Sequence, residues 1–190
     1  MEGEIMIASL LADHQIKELC YAGNMIEPFV PEKVMGEIEI NGEKYKLPSY
    51  GLEPHGYTFR LSPEGIVVAH RRKFGGIESA YEFSTNSDVI FLPPGGILFG
   101  ESLEFFRMPK RVVGLLVGKS TYTRRGVAFL GTVLDAGWQG HIHFTIVNLS
   151  HENIPVFPGW GIGQVLFLLG GVPEQTYKGY YQEEDPEAKE

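Results

Sequence analysis

Two polar stretches stand out in a chain whose formal charge is -8. Residues 118–126 read Gly-Lys-Ser-Thr-Tyr-Thr-Arg-Arg-Gly, so Lys119, Arg124 and Arg125 stand among the hydroxyls of Ser120, Thr121 and Thr123, with a glycine at either end. Cations and small donors on a glycine-bounded turn suit a polyanion such as a triphosphate. Nine residues on, 135–140 read Asp-Ala-Gly-Trp-Gln-Gly, a lone carboxylate on a turn. Held together, the two could hydrolyse a phosphoanhydride: one fixes and neutralises the phosphates, while Asp135 deprotonates or aims a water. Each alone is also an ordinary feature, the first a solvated turn and the second a β-turn with Asp at its first position.

Order and context bind them. The apolar run 112–117 leads into the basic loop and 127–130 leads out toward Asp135, which puts both polar sites at strand ends. After the turn, residues 141–148 alternate cleanly, so His141, His143 and Thr145 share one face and the hydrophobes the other. Two histidines at that spacing could bind metal, but no third ligand is evident, and a polar, partly solvated face is preferred. Gln164 interrupts the last apolar strand, 161–169, where a buried amide must find a backbone, interface or ligand partner. Upstream, Asn41-Gly42 between alternating runs marks a hairpin. Asp13 is a plausible N-cap for one short helix carrying Ile16, Leu19 and Cys20. The basic cluster 71–73 reads as a solvated loop.

Composition agrees with a mainly β protein. Twenty-four glycines and 12 prolines separate short β-branched and aromatic runs, 43% of residues are hydrophobic, and 190 residues suffice for one domain with a substantial core. We read 1–175 as that domain and 176–190 as a mobile tail. A single cysteine excludes an intramolecular disulfide framework, suits a reducing compartment and excludes the cysteine-ligated site of a zinc deaminase. With no apolar run of membrane length, no basic leader at the N-terminus and a pI near 5.3, the expected setting is cytoplasmic, without membrane or nucleic-acid partners.

Taken in order, these segments resemble the family that contains dUTP diphosphatases and zinc-independent dCTP deaminases. The likeness runs over nearly the whole chain: residues 26–29 (Ile-Glu-Pro-Phe), 51–61 (Gly-Leu-Glu-Pro-His-Gly-Tyr-Thr-Phe-Arg-Leu), 118–126, the turn at Asp135 and 161–164 (Gly-Ile-Gly-Gln). The basic loop is similar to the family's phosphate loop, usually Gly-Arg-Ser-Ser-Leu-x-Arg-x-Gly, with Lys119 in place of the first arginine. The resemblance implies an all-β fold, a distorted β-barrel of the dUTPase type (β-clip) with a short N-terminal helix. It implies a homotrimer with sites between subunits. Lys119, Ser120, Thr121, Arg124 and Gln164 would bind phosphate, Asp135 would be catalytic, and Tyr177, Lys178, Tyr181 and Gln182 would close over the nucleotide. Two tail registers are possible, one using Lys178 and Gln182, the other Tyr180 and Glu184. Mg²⁺ would enter on the phosphates of a pyrimidine deoxynucleoside triphosphate, with no direct protein ligand.

One position separates the family's two chemistries. Where the deaminases read Gly-x-Ile-x-Leu-Glu-Phe after the Asp turn, this chain has Thr145 at the Glu position, and a hydroxyl does not shuttle protons as a carboxylate does. The residues before Asp135 are also nearer to the dUTPase pattern. The expectation is therefore a hydrolase of the archaeal-type dUTPase-like branch, converting dUTP to dUMP and pyrophosphate with Mg²⁺ and a water activated at Asp135. A dCTP deaminase forming dUTP and ammonia, or a non-catalytic nucleotide-binding regulator on the same fold, are the alternatives.

Overall fold

The structure is a computed structural model that describes residues 9–40, 42–71, 77–83 and 88–182; for 70, 71 and 77–83 it describes strand pairing alone. Residues 72 and 73 of the second basic cluster lie outside the described residues. In chain order the elements are β1 (Ser9–Leu10), α1 (Asp13–Gly23), β2 (Ile26–Glu27), β3 (Lys33–Ile40), β4 (Glu43–Glu53), β5 (Gly56–Arg60), β6 (Ile66–Arg71), β7 (Ile77–Phe83) and β8 (Ile90–Leu92). They continue with β9 (Gly96–Arg107), β10 (Val112–Gly118), α2 (Ser120–Thr123), β11 (Val127–Leu130), β12 (Val133–Leu134), β13 (Gln139–Asn148), β14 (Ile154–Val156) and β15 (Gly161–Leu169).

Two large sheets form the body. One runs β12-β10-β15-β5-β4-β3, with β1 beside β15; the other runs β11-β13-β9-β6-β7, with β2 beside β9; β14 and β8 make a small ribbon. Among the described residues the ladders do not close into a barrel; the all-β, dUTPase-type fold class is as expected. Strand alternation explains how the sheets seal: on β13 the even positions from Gly140 to Asn148 are buried and the odd ones face outward. Phe59 of β5 bridges the two sheets, its ring 5.6 Å from Phe144, 6.2 Å from Phe129 and 6.4 Å from Phe106. Each such side chain contributes roughly 1.5–3 kcal/mol by leaving water.

The hairpin expected there is present, with Ile40 paired to Glu43; Asn41 itself lies outside the described residues. The helix is present too, but its cap is displaced. Ala12, not Asp13, holds the extended N-cap conformation, and Gln15 Oε1 accepts the Ala12 N–H at 3.0 Å, so the boundary is set by a side chain three residues inside the helix. Asn24 ends the helix in the left-handed region at φ 48°, where Asn is tolerated. Ile16 and Cys20 are buried against the core.

An ion pair with one fully buried partner joins the sheets. Glu104 has a fully buried side chain and takes the Arg60 Nε–H at 2.7 Å and the Arg60 backbone N–H at 2.9 Å. Burial pushes its carboxyl above the usual range, while the guanidinium pulls it down. Arg60 also lies 4.8 Å over the Tyr50 ring. This bond ties β5 to β9, and thus one sheet to the other.

Candidate functional site

The Asp135 turn is built by backbone on both sides. Leu134 pairs with Gly114 of β10, the Trp138 N–H donates to the Asp135 carbonyl at 3.1 Å, and the Gly137 N–H and Trp138 carbonyl bond Met108. Gly137 is required twice over: its φ is 81°, and a Cβ there would stand 2.8 Å from Thr176 Cβ. Asp135 itself is exposed. It lines a cleft of about 570 Å³ whose walls include Leu116, Thr132, Leu134, Trp138, Tyr177 and Tyr181.

The tail closes one side of that cleft. Tyr177 donates its N–H to the Ala136 carbonyl at 3.0 Å, Trp138 Nε1–H donates to the Tyr181 carbonyl at 2.8 Å, and the Gln182 amide reaches the Gly137 carbonyl at 3.4 Å. Three of the four candidate tail residues thus gather at the turn. Lys178 is exposed. Tyr180 is 95% exposed, so the register that uses Gln182 is the one in contact; Glu184 lies outside the described residues.

The basic loop differs from a plain loop. Residues Ser120–Thr123 form a single helical turn, α2, with Lys119 as its extended N-cap. That geometry turns the lysine inward. Lys119 is 9% exposed and its ammonium donates to Ser49 Oγ at 3.1 Å, while burial pushes its pKa below the usual lysine range against the pull of Glu53. Ser120, Thr121 and Arg124 are exposed and lie open to an anion. Gln164 is half-buried, opposite Val117 at the end of β10 and Thr58 on β5. Beside it Gly163 admits the rings of Phe59 and Phe129, which a Cβ would meet at 2.5 and 2.8 Å.

Within one chain these five phosphate candidates do not join Asp135. None of them lines the cleft at the turn, or a second of about 490 Å³ on its other side between Arg111, Asp135 and Thr176. Within this one chain the basic loop stands off from the Asp135 turn, because β10 carries the loop at its C-terminal end while the turn follows β12, which pairs with the strand's interior.

A third cleft, about 450 Å³, opens on the outer face of the other sheet. Glu101 of β9, Leu130 of β11, and His143 and Thr145 of β13 line it, with Gly65 and Thr132 at its rim. His143 pairs across the ladder with Glu101, and its Nδ1 lies 3.9 Å from Glu101 Oε2; Thr145 pairs with Phe99 and with Leu130. Thr132 and His143 belong to this cleft and to the Asp135 cleft alike. Sequence reasoning passed over Glu101, since only the β9–β13 register places it beside Thr145. Among the described residues no three His, Cys, Asp or Glu side chains are placed to hold a metal ion, and no helix is long and apolar enough to cross a membrane.

Residues 10–169 match the family model described as dCTP deaminase-like. A dCTP deaminase of Protochlamydia amoebophila is 36% identical over 168 residues, covering 85% of this chain and 86% of the relative. One of Chlamydia pneumoniae is 33% identical over 187 residues, covering 93% and 95%. Among solved structures, the 2'-deoxycytidine 5'-triphosphate deaminase of Agrobacterium tumefaciens superposes with a TM-score of 0.60 at 16% identity, over 87% of this chain and 49% of that one, which is a likeness of fold. These relatives overturn dUTP hydrolysis as the main reading and with it the dUTPase-like branch. That expectation rested on Thr145 and on the residues before Asp135, without the neighbours that Thr145 meets across the ladder.

Proposed function

Because the chain belongs to the dCTP deaminase-like family, we propose that it converts dCTP and water to dUTP and ammonia. The observation that carries this reading is the 36% identity to a dCTP deaminase sustained over 85% of the chain. The geometry supports it in three ways. An apolar-walled cleft with two tyrosines and Trp138 suits a nucleoside. Exposed Ser120, Thr121 and Arg124 suit its triphosphate. The adjoining cleft brings a carboxylate and an imidazole within reach of the same wall.

In this reading Asp135 aims the water at the mouth of the nucleoside cleft. Tyr177, Lys178, Tyr181 and Gln182 cover the nucleotide, and Gln164 and Lys119 support the phosphate loop from behind. Mg²⁺ arrives on the triphosphate oxygens. The separation of the phosphate loop from Asp135 within one chain supports a homotrimer whose sites draw on neighbouring subunits, working in the cytoplasm, where the free thiol of Cys20 is at home.

Incubation of the protein with dCTP and Mg²⁺, with ammonia measured enzymatically and nucleotides resolved by chromatography, tests the reading. Ammonia and dUTP are expected in equal amounts, with no pyrophosphate. Pyrophosphate without ammonia, or nucleotide binding without product, would reject it.

A further inference from the structure

We propose that Glu101, held by His143, is the residue that carries protons to and from the base during deamination. The inference rests on the deaminase reading above and names the group that performs its chemistry. Replacing an amine by oxygen at a pyrimidine C4 needs a carrier that takes a proton from water and gives one to the departing nitrogen. Thr145, at the place where the sequence pattern led one to look for a carboxylate, supplies only a hydroxyl, which does not give up its proton near neutral pH.

The structure sets a carboxylate beside it. Antiparallel pairing of β9 with β13 puts Glu101 directly opposite His143 and diagonal to Thr145, on the same outward face. Of the residues lining this cleft, Glu101 alone has a carboxylate. Its two oxygens have different surroundings. Oε2 lies 3.9 Å from His143 Nδ1, whereas Oε1 faces Gly65, where even an added Cβ would stay 3.7 Å away. Gly65, at φ 68°, thus leaves the second oxygen open to the cleft. The Glu101 side chain is 31% exposed, partly shielded yet open enough to exchange with a ligand. His143 and Thr132 line both this cleft and the one at Asp135, so the carrier's cleft adjoins the one where the water is aimed.

The steps balance without another reactant. As the water oxygen bonds to C4, Glu101 takes one proton from it and passes it to ring nitrogen N3. The C4–amine bond of the tetrahedral intermediate then breaks as the proton of the new hydroxyl moves through Glu101 to the amine. Ammonia leaves, N3 keeps its proton in the uracil product, and Glu101 returns to its starting form. His143 is a positioning residue, fixing Oε2 so that Oε1 points at the substrate.

Glu101→Gln keeps the shape and removes the base. On the full-length protein it is expected to lower kcat for ammonia release from dCTP by about 10²–10⁴-fold, with the dCTP Kd changed less than about threefold and the melting temperature unchanged. His143→Gln is expected to displace the pH profile of kcat while leaving Kd alone. A Glu101→Gln protein that turns over within about threefold of wild type overturns the proposal, and a His143→Gln profile superimposable on wild type overturns the pairing. If wild type itself releases no ammonia, the deaminase reading falls first; ammonia from wild type with an unaffected Glu101→Gln variant sinks only the role of Glu101.

Discussion

Asp135 and Arg124 are both exposed, yet substitution should affect different quantities. Asp135 is exposed, so Asp135→Asn is expected to fold normally and bind dCTP as before. Its turnover should fall about 10²–10⁴-fold if it aims the water, which steady-state kinetics beside calorimetric binding would show; unchanged kcat would remove it from the chemistry. Arg124 faces phosphate in the proposed complex. Arg124→Ala should weaken dCTP binding by about 1.5–3 kcal/mol, the worth of a hydrogen bond to a charged group, and deoxycytidine binding not at all; equal loss for both ligands would contradict that role. Both residues were legible in the sequence because a turn advertises its carboxylate and a basic loop its charge. Lys119 was legible as a cation but not as an inward one, since its direction follows from the α2 turn and from Ser49, 70 residues away. Glu101 was not legible at all. Its neighbours are fixed by strand register, which a single sequence does not display.

The helix α1 shows how an element protects a residue. Its apolar side buries Ile16 and Cys20, and burial pushes the Cys20 thiol up to about 12 from 9.0. The native thiol is therefore protonated throughout the neutral range, and the thiolate is the reactive form. Iodoacetamide at pH 8 should leave the native protein unlabelled and label it at once in denaturant, as read by mass spectrometry; rapid native labelling would mean that α1 is not docked as described. The sign of the pH effect follows. A raised native pKa stabilises the fold fully below 9.0, where both states hold the proton, and that contribution is lost as pH rises toward about 12, because the unfolded chain ionises first. The helix was recognisable from the spacing of Ile16, Leu19 and Cys20. Its cap was not, because Gln15 reaching back to Ala12 competes with the better intrinsic capping residue Asp13. Strand alternation was the most legible signal of all: β13 buries the residues its period indicates.

At the scale of the whole molecule, two sheets held by the Phe59 cluster and the Arg60–Glu104 pair give a rigid body, but the basic loop and the Asp135 turn stay apart within it. Composition and turn chemistry disclosed the all-β class; they could not disclose this separation, which depends on where each strand end falls in the sheet. A complete site is then expected to combine Asp135 of one subunit with Ser120, Thr121 and Arg124 of another. Hydrophobic side chains left exposed around the clefts, Phe99, Leu115, Leu130 and Val133, are available for such contacts. Light scattering should give three times the 21.2 kDa chain mass. The stronger test mixes two impaired proteins and assays them at dCTP well below the Kd of the Arg124→Ala protein, where each alone is nearly inactive. Asp135→Asn and Arg124→Ala subunits, unfolded together in equal amounts and refolded, should each supply what the other lacks. If one site takes Asp135 and Arg124 from different subunits, about a quarter of the sites in randomly assembled trimers carry both intact residues, and deaminase activity returns to about that fraction of wild type. If both residues serve the same site from one chain, no arrangement of these subunits builds an intact site, and the mixture stays as inactive as its parts.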